Sequence, residues 1–282
     1  MTASPQAFFL DLDGHQRFCL FHPAHGEHVR GRVVYIHPFA EEMNKARRMA
    51  ALQSRALAAA GFGVLQIDLL GCGDSGADFG DASWDRWVRD VLAADGWLQK
   101  RDERYARAPL WLWGLRAGCL LATAAAEQID GCCNFCFWQP PASGRVLLQQ
   151  FMRLRLATDL LSGANKGAME AMRRQLAAGE SVEIAGYLLA PELARGLELA
   201  QLNPPPNAGR LEWFELSTTE NAALLPVSEQ TLQRWATAGL RTHTHLVQGP
   251  QFWSATEIED APKLIDATTS ALRNEPQTEG GR

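Results

Sequence analysis

Short apolar runs and helical stripes alternate along most of this chain. "AFFLDLDGHQRFCLFHPA" (7–24) places two apolar runs on either side of Asp13-Gly14, a hairpin signal. "RVVYIHPF" (32–39) is β-branched and aromatic and ends in a proline, as a buried strand does. From Asn44 to Gly61 a helix is predicted, with Met49, Ala50, Gln53, Ala56, Leu57 and Ala60 at helical spacing and Gly61 as the stop. "FGVLQIDLLG" (62–71) reads as the next strand and breaks into the tight polar loop "GCGDSG". Ser83 then caps a helix over "WDRWVRDVLAADGWLQ" (84–99).

"PLWLWG" (109–114) lacks alternation, which predicts a central strand covered on both faces. The helix "AGCLLATAAAEQ" and the buried strand "NFCFWQPPA" follow. Strand and helix in alternation predict a mostly parallel sheet of about eight strands with right-handed crossovers. The rhythm breaks after Pro141. Residues 142–202 carry helical stretches and one β-like piece, "VEIAGYLL", which predicts a helical insertion between two core segments, 1–141 and 203–273. "NPPPNAG" (203–209) is a stiff return to the core. It leads to the strand "RLEWFEL", a helix from Pro226, the strand "THTHLVQ" and a last helix ending near Arg273. The tail 274–282 reads as disordered.

Composition narrows the function classes. The 282 residues are 46% hydrophobic and 21% charged, enough for a sizeable core, and the net charge of −5 favours neither nucleic acid nor an anionic membrane surface as a partner. No secretory signal and no run of about 18 apolar residues is read, so a cytoplasmic protein without membrane insertion is expected. The cysteines Cys19, Cys72, Cys119, Cys132, Cys133 and Cys136 fall mostly in apolar segments, which suits reduced thiols. No second Cys/His pair follows the 132–136 group, so neither metal nor organic cofactor is expected. Oligomeric state is not legible.

The segment that raises chemistry is "WLWGLRAG". It has the strand, Gly-x-x-x-Gly turn and helix of a nucleophile elbow: Gly114, Leu115, Arg116, Ala117, Gly118. With "YIHPFAEEMNKARRM", "DLLGCGDSG", "FWQPPASG" and "GPQFWSATEIEDAPKLIDAT", it makes the chain resemble the family called exosortase A system-associated hydrolase 2, over roughly residues 8–272. The resemblance implies an α/β-hydrolase fold with a helical cap and a hydrolase acting on an ester, thioester or amide. It also implies association with bacterial surface-sorting or exopolysaccharide systems.

The residues depart from a working triad. Arg116 stands where serine is needed, and an always-protonated guanidinium offers no nucleophilic lone pair. No histidine follows the last strand; Gln251 sits near that place. His243 and His245 lie within the strand, where packing or solvation is the plainer reading. Glu220 has about the right position for the acid, against a plain exposed glutamate. The candidate pocket therefore comprises His37, Pro38, Phe39, Glu41, Glu42, Asn44, Asp74, Ser75, Glu220 and Gln251 around the elbow. Cys119 and Ser75 are the remaining nucleophile candidates, against a packed thiol and a turn residue. His37 with Asp74 is the remaining acid–base pair. Basic residues of the insertion (Arg145, Arg153, Arg155, Lys166, Arg173, Arg174) reinforce an anion site if they face the cleft, and otherwise solvate helices.

Arg116 at a helix N-terminus has two readings: it holds an anionic ligand, or it pairs with an internal acid such as Glu41 or Glu42. Two functions follow. One is a hydrolase working without Ser-His-Asp, with His37, Asp74 and Arg116 as candidates. The other is a noncatalytic pseudo-hydrolase that binds a small anionic ligand or a protein partner at the Arg116 elbow.

Overall fold

The structure is a computed structural model and describes residues 4–161, 167–220 and 222–274, without side chains for 156–161. Its centre is an eight-stranded sheet in the order β1-β2-β4-β3-β5-β6-β9-β10. The hairpin is β1 (Gln6–Leu12) and β2 (His15–His22), turning through Asp13 and Gly14 at positive φ. β2 pairs antiparallel with β4 (Phe62–Ile67). β3 (Gly31–Ile36), β5 (Leu110–Leu115), β6 (Cys133–Trp138), β9 (Ala208–Ser217) and β10 (Arg241–Gln248) continue the sheet from β4 in parallel. This is the α/β-hydrolase fold that the alternation and the resemblance predict.

β3 and β5 are buried at every position, as their unbroken apolar runs require. One face is covered by α1 (Glu41–Ala59) and α9 (Pro262–Arg273). The other is covered by α2 (Trp84–Arg101), α4 (Ala117–Ala126) and α8 (Pro226–Thr237), with the short α3 (Glu103–Arg107) between α2 and β5. Ser83 caps α2 as expected, its side chain accepting from Arg86 N–H. The expected helix from Asn44 begins earlier, at Glu41, because the turn after Pro38 closes with Glu42 N–H donating to Phe39 O.

Between β6 and β9 the chain forms α5 (Gly144–Leu161), α6 (Ala168–Ala177), β7 (Val182–Ile184), β8 (Tyr187–Leu189) and α7 (Pro191–Leu199). The single β-like piece is thus a two-stranded hairpin, which turns through Ala185 and Gly186 at positive φ. Asn274 is not part of a loose tail: its carbonyl accepts from Arg210 Nη1 at 2.6 Å. Residues 275–282 and Lys166, included in the expectations above, lie outside the described residues.

Candidate functional site

The elbow is built as its glycines predict. Arg116 adopts φ 55°, ψ −115°, a region that side chains rarely enter. The turn is held by Arg116 N–H donating to Trp138 O at 3.0 Å, and by Cys119 N–H donating to Arg116 O at 3.0 Å. A β-carbon on Gly118 would collide with Ile36 O, so only glycine lets α4 approach β3 this closely. The loop after β3 carries a matching strain: Ala40 sits at φ 51°, ψ −124°. Strain of this kind, costing about 1–3 kcal/mol per residue, gathers at sites where geometry matters more than stability.

Arg116 is satisfied from inside the protein. Its Nε and Nη2 both lie 3.2 Å from Glu42 Oε1, and Nη2 donates to Gln150 Oε1 at 2.9 Å. The guanidinium also lies over the Trp253 ring, 5.8 Å from its centroid. Of the two sequence readings, the internal acid is the one realised. The ion pair nevertheless leaves space. A cavity of about 430 Å³ lies above it, lined on the core side by Phe39, Glu41, Glu42, Arg116 and Gln139. Gln251, Trp253 and Ser254 line it from the loop after β10, and Leu147, Gln150, Phe151 and Leu154 from α5.

The electrostatics of this cavity are set by carboxylates. Burial pushes Glu42 up to about 7, with Arg116 pulling down and Glu41 pushing up. Glu41 is raised by burial too. The Oε2 atoms of Glu41 and Glu42 are both buried and have no hydrogen-bond partner among the described residues. Nor do the N–H groups of Phe39 and Ala117 donate to any group among them. In this fold the N–H of the residue after the nucleophile position and one from the β3–α1 loop polarise an acyl oxygen.

The expected pocket separates into distinct surroundings. Phe39, Glu41, Glu42, Arg116 and Gln251 share the cavity just described. Asn44 and Asp74 line a different one with Arg47 and Tyr187. The His37–Asp74 acid–base pair does not form. His37 is buried, its Nδ1 lies 2.7 Å from Pro38 O, and its Nε2 accepts Leu69 N–H at 3.2 Å. Both ring nitrogens serve the backbone, and burial holds the ring neutral. Pro38 lines a small cavity together with His37, Trp84 and Trp87. Asp74 is exposed, and its N–H donates to Asp68 Oδ2 at 3.0 Å.

The substitute nucleophiles also have structural tasks. Ser75 Oγ donates to Asp68 O at 2.5 Å and accepts Phe18 N–H at 2.9 Å, tying the loop to β2. Cys119 is buried, its Sγ lies 3.2 Å from Gly114 O, and burial raises its thiol well above the ordinary range. Glu220 is exposed and outside the cavity wall. His243 and His245 pair with Glu212 at 2.8 and 2.5 Å, away from the elbow. Among the described residues no group of three or more His, Cys, Asp or Glu could hold a metal. No helix among them is long and apolar enough to cross a membrane.

Among the described basic residues of 142–202, none of Arg145, Arg153, Arg155, Arg173 and Arg174 lines the cavity above Arg116. Arg145 pairs with Glu198 at 3.6 Å, Arg155 donates to Glu183 O at 2.9 Å, and Arg153, Arg173 and Arg174 are exposed. The lining residues that sequence reasoning missed are Gln139, Leu147, Gln150, Phe151, Leu154, Trp253 and Ser254. Gln150 had a signal: it is the polar member of the 147, 150, 151, 154 helical stripe.

The family model for serine aminopeptidase, S33, matches residues 27–162. No curated protein matches the chain. Solved structures do. One described as ferulic acid bound to Est1E from Butyrivibrio proteoclasticus is 14% identical, with TM-score 0.65 over 95% of this chain and 96% of that one. A soluble variant of monoglyceride lipase from Saccharomyces cerevisiae, in complex with a substrate analogue, is 15% identical, with TM-score 0.60 over 96% and 95%. An alpha-beta serine hydrolase homologue from Coxiella burnetii is 12% identical, with TM-score 0.55 over 95% and 97%. At these identities the likeness is one of fold.

Proposed function

We propose that this protein of α/β-hydrolase fold is a pseudo-hydrolase. It keeps the elbow, the strained β3–α1 loop and a ligand cavity beneath a cap formed by residues 142–202, and it binds a small molecule there without serine-type turnover. One observation carries this reading. The residue at the nucleophile position is Arg116, locked to Glu42 and Gln150 at 3.2 and 2.9 Å. An acyl-enzyme needs an oxygen or sulfur nucleophile with a base in reach. Ser75, Cys119 and His37 are committed elsewhere. The resemblance to exosortase A system-associated hydrolase 2 supports a place beside surface-sorting or exopolysaccharide machinery.

A second reading rests on Glu42. A carboxyl near 7 beside a cavity is suited to draw a proton from water, and the free Phe39 and Ala117 amides are suited to an acyl oxygen. That route is direct hydrolysis of an ester, thioester or amide with no covalent intermediate. Hydrolysis of short-chain p-nitrophenyl esters and an acyl thioester by the wild type, beside Arg116→Ala and Glu42→Gln, separates the two. Binding alone predicts no release above buffer from any of the three. Turnover abolished by Glu42→Gln establishes the second reading and removes the first.

A further inference from the structure

We propose that Arg116 latches the cap over its cavity: the arginine at the nucleophile position holds the core to Gln150 of α5, and ligand exchange breaks that bond while the bond to Glu42 stays. This rests on the reading of the cavity as a binding site and names how access to it is controlled.

The Arg116 side chain runs from the floor of the cavity to its roof. Nε and Nη2 reach Glu42 Oε1 at 3.2 Å, and Nη2 donates to Gln150 Oε1 at 2.9 Å. Among the described residues, this second bond is the one hydrogen bond or ion pair that joins residues 144–199 to the core. Elsewhere those residues rest on the core through apolar contacts. Phe151 meets Phe39 edge to face at 5.0 Å, and Tyr187 meets Phe79 at 5.1 Å. Leu188 lies beside Gly80, and Gly196 lies against Trp84. Such contacts are non-directional and allow more than one seating, whereas a hydrogen bond to a fixed guanidinium selects one.

The base of the cap is tied differently. Gly144 N–H donates to Ala200 O at 3.1 Å, clasping the two ends of the insertion together. Trp235 Nε1 donates to Leu202 O at 3.1 Å, fixing that base to α8. Pro140 and Pro141 on one side, and Pro204, Pro205 and Pro206 on the other, stiffen the chain where it enters and leaves. The anchored base is the hinge, and Gln150, further along α5, is the polar tie of the free end. The two partners of Arg116 are unequal. Glu42 is a carboxyl only 15% exposed, whereas Gln150 is a neutral amide at the surface, whose place water takes readily. The bond to Gln150 is therefore the one that opens. Its opening uncovers Leu147, Phe151 and Leu154, the apolar roof of the cavity.

Iodoacetamide labelling of the full chain, with Leu147→Cys as the reporter in a Cys132→Ser background, tests the latch. Leu147 is buried on the cavity wall, and the buried Cys119 reports global opening in the same protein. Labelling at position 147, read by peptide mapping, is expected to run about fivefold faster when Gln150→Met removes the acceptor at similar size. Labelling of Cys119 stays as slow as before. Arg116→Lys keeps a cation beside Glu42 but lacks the fork that reaches Gln150 as well. It should give the same increase, and the double variant no more than either. Where Arg116→Lys does not fold, Gln150→Met alone decides. An unchanged rate at position 147 in Gln150→Met overturns the latch. So do additive effects of the two substitutions, which show that they act separately. A Cys119 rate that rises in step with position 147 overturns it too, because the whole fold is then opening. The assay needs no ligand, so failure of the binding reading is seen separately, as ester or thioester turnover.

Discussion

The Arg116 guanidinium meets Glu42 Oε1 through two nitrogens, each at 3.2 Å, and both side chains are 15% exposed. This contact joins the elbow after β5 to the first turn of α1 across the floor of the cavity. It gives the arginine at the elbow a partner within the protein. It also leaves Glu42 nearly balanced between its two protonation states, since burial outweighs the help that Arg116 gives.

That balance predicts a pH signature in stability. The folded-state carboxyl near 7 holds a proton that the unfolded chain gives up near 4.5. Stability from this group is therefore greatest below about 4.5 and declines as pH rises to about 7, by roughly 2–3 kcal/mol. Urea unfolding at pH 5, 6 and 8 should show that slope diminished in Glu42→Gln. Part of the slope remains, because Asp90, raised to about 6 by burial, acts in the same direction. Identical slopes in the two proteins would contradict the assignment.

Arg17 and Asp90 form an ion pair at 2.8 Å, with both side chains almost wholly buried. Asp90 also accepts Leu70 N–H at 2.7 Å, in the loop after β4. Arg17→Ala leaves the carboxyl buried without its cation. It should cost about 3–5 kcal/mol, read as a lower midpoint in chemical denaturation. A loss under about 1 kcal/mol would mean that water or another cation replaces Arg17.

Glu212 ties β9 to β10, accepting from Arg210 Nε at 2.5 Å and pairing with His243 at 2.8 Å and His245 at 2.5 Å. His245 stacks on Phe214, with ring centroids 4.3 Å apart. Burial raises the Glu212 carboxyl, and its His245 and Arg210 partners together hold it below the ordinary value. Its contribution is present at neutral pH and is lost as pH falls through its lowered pKa. Glu212→Gln should destabilise by about 1–3 kcal/mol at pH 7, and the difference in Tm should close toward pH 3. A difference independent of pH would show that charge is not the reason.

Gly118→Ala places a methyl against Ile36 O, a backbone atom that cannot swing aside. A loss of about 1–3 kcal/mol is expected, with the Arg116 turn displaced. Thermal unfolding that matches wild type would mean that α4 shifts without cost.

The order of elements was legible because the central parallel strands β3, β4, β5 and β6 are largely apolar runs of six residues, as in "PLWLWG". The elbow was legible from Gly114 and Gly118. The surroundings of the polar residues were not, since they depend on distances across the fold. His37 has the right strand end for chemistry, yet its ring turns to Pro38 O and Leu69 N–H. Asn44 lies two residues beyond Glu42 in α1, and the helical turn carries it into another cavity. Arg116 stood between a ligand and an internal acid in sequence, and Glu42 decided it through a contact 74 residues away. Gln150 and Trp253 come from an insertion and a late loop, whose approach to the elbow no local pattern encodes.

The central claim is that the elbow holds an arginine ion pair in place of a nucleophile. Intact-mass spectrometry after incubation with a fluorophosphonate tests it most directly, with peptide mapping of any adduct. Unmodified protein is the predicted result, since Ser254, the hydroxyl on the cavity wall, has its Oγ donating to Gln251 O at 3.1 Å. A stoichiometric adduct on Ser254, or on any other residue lining the cavity, would reveal an activated nucleophile and contradict the account.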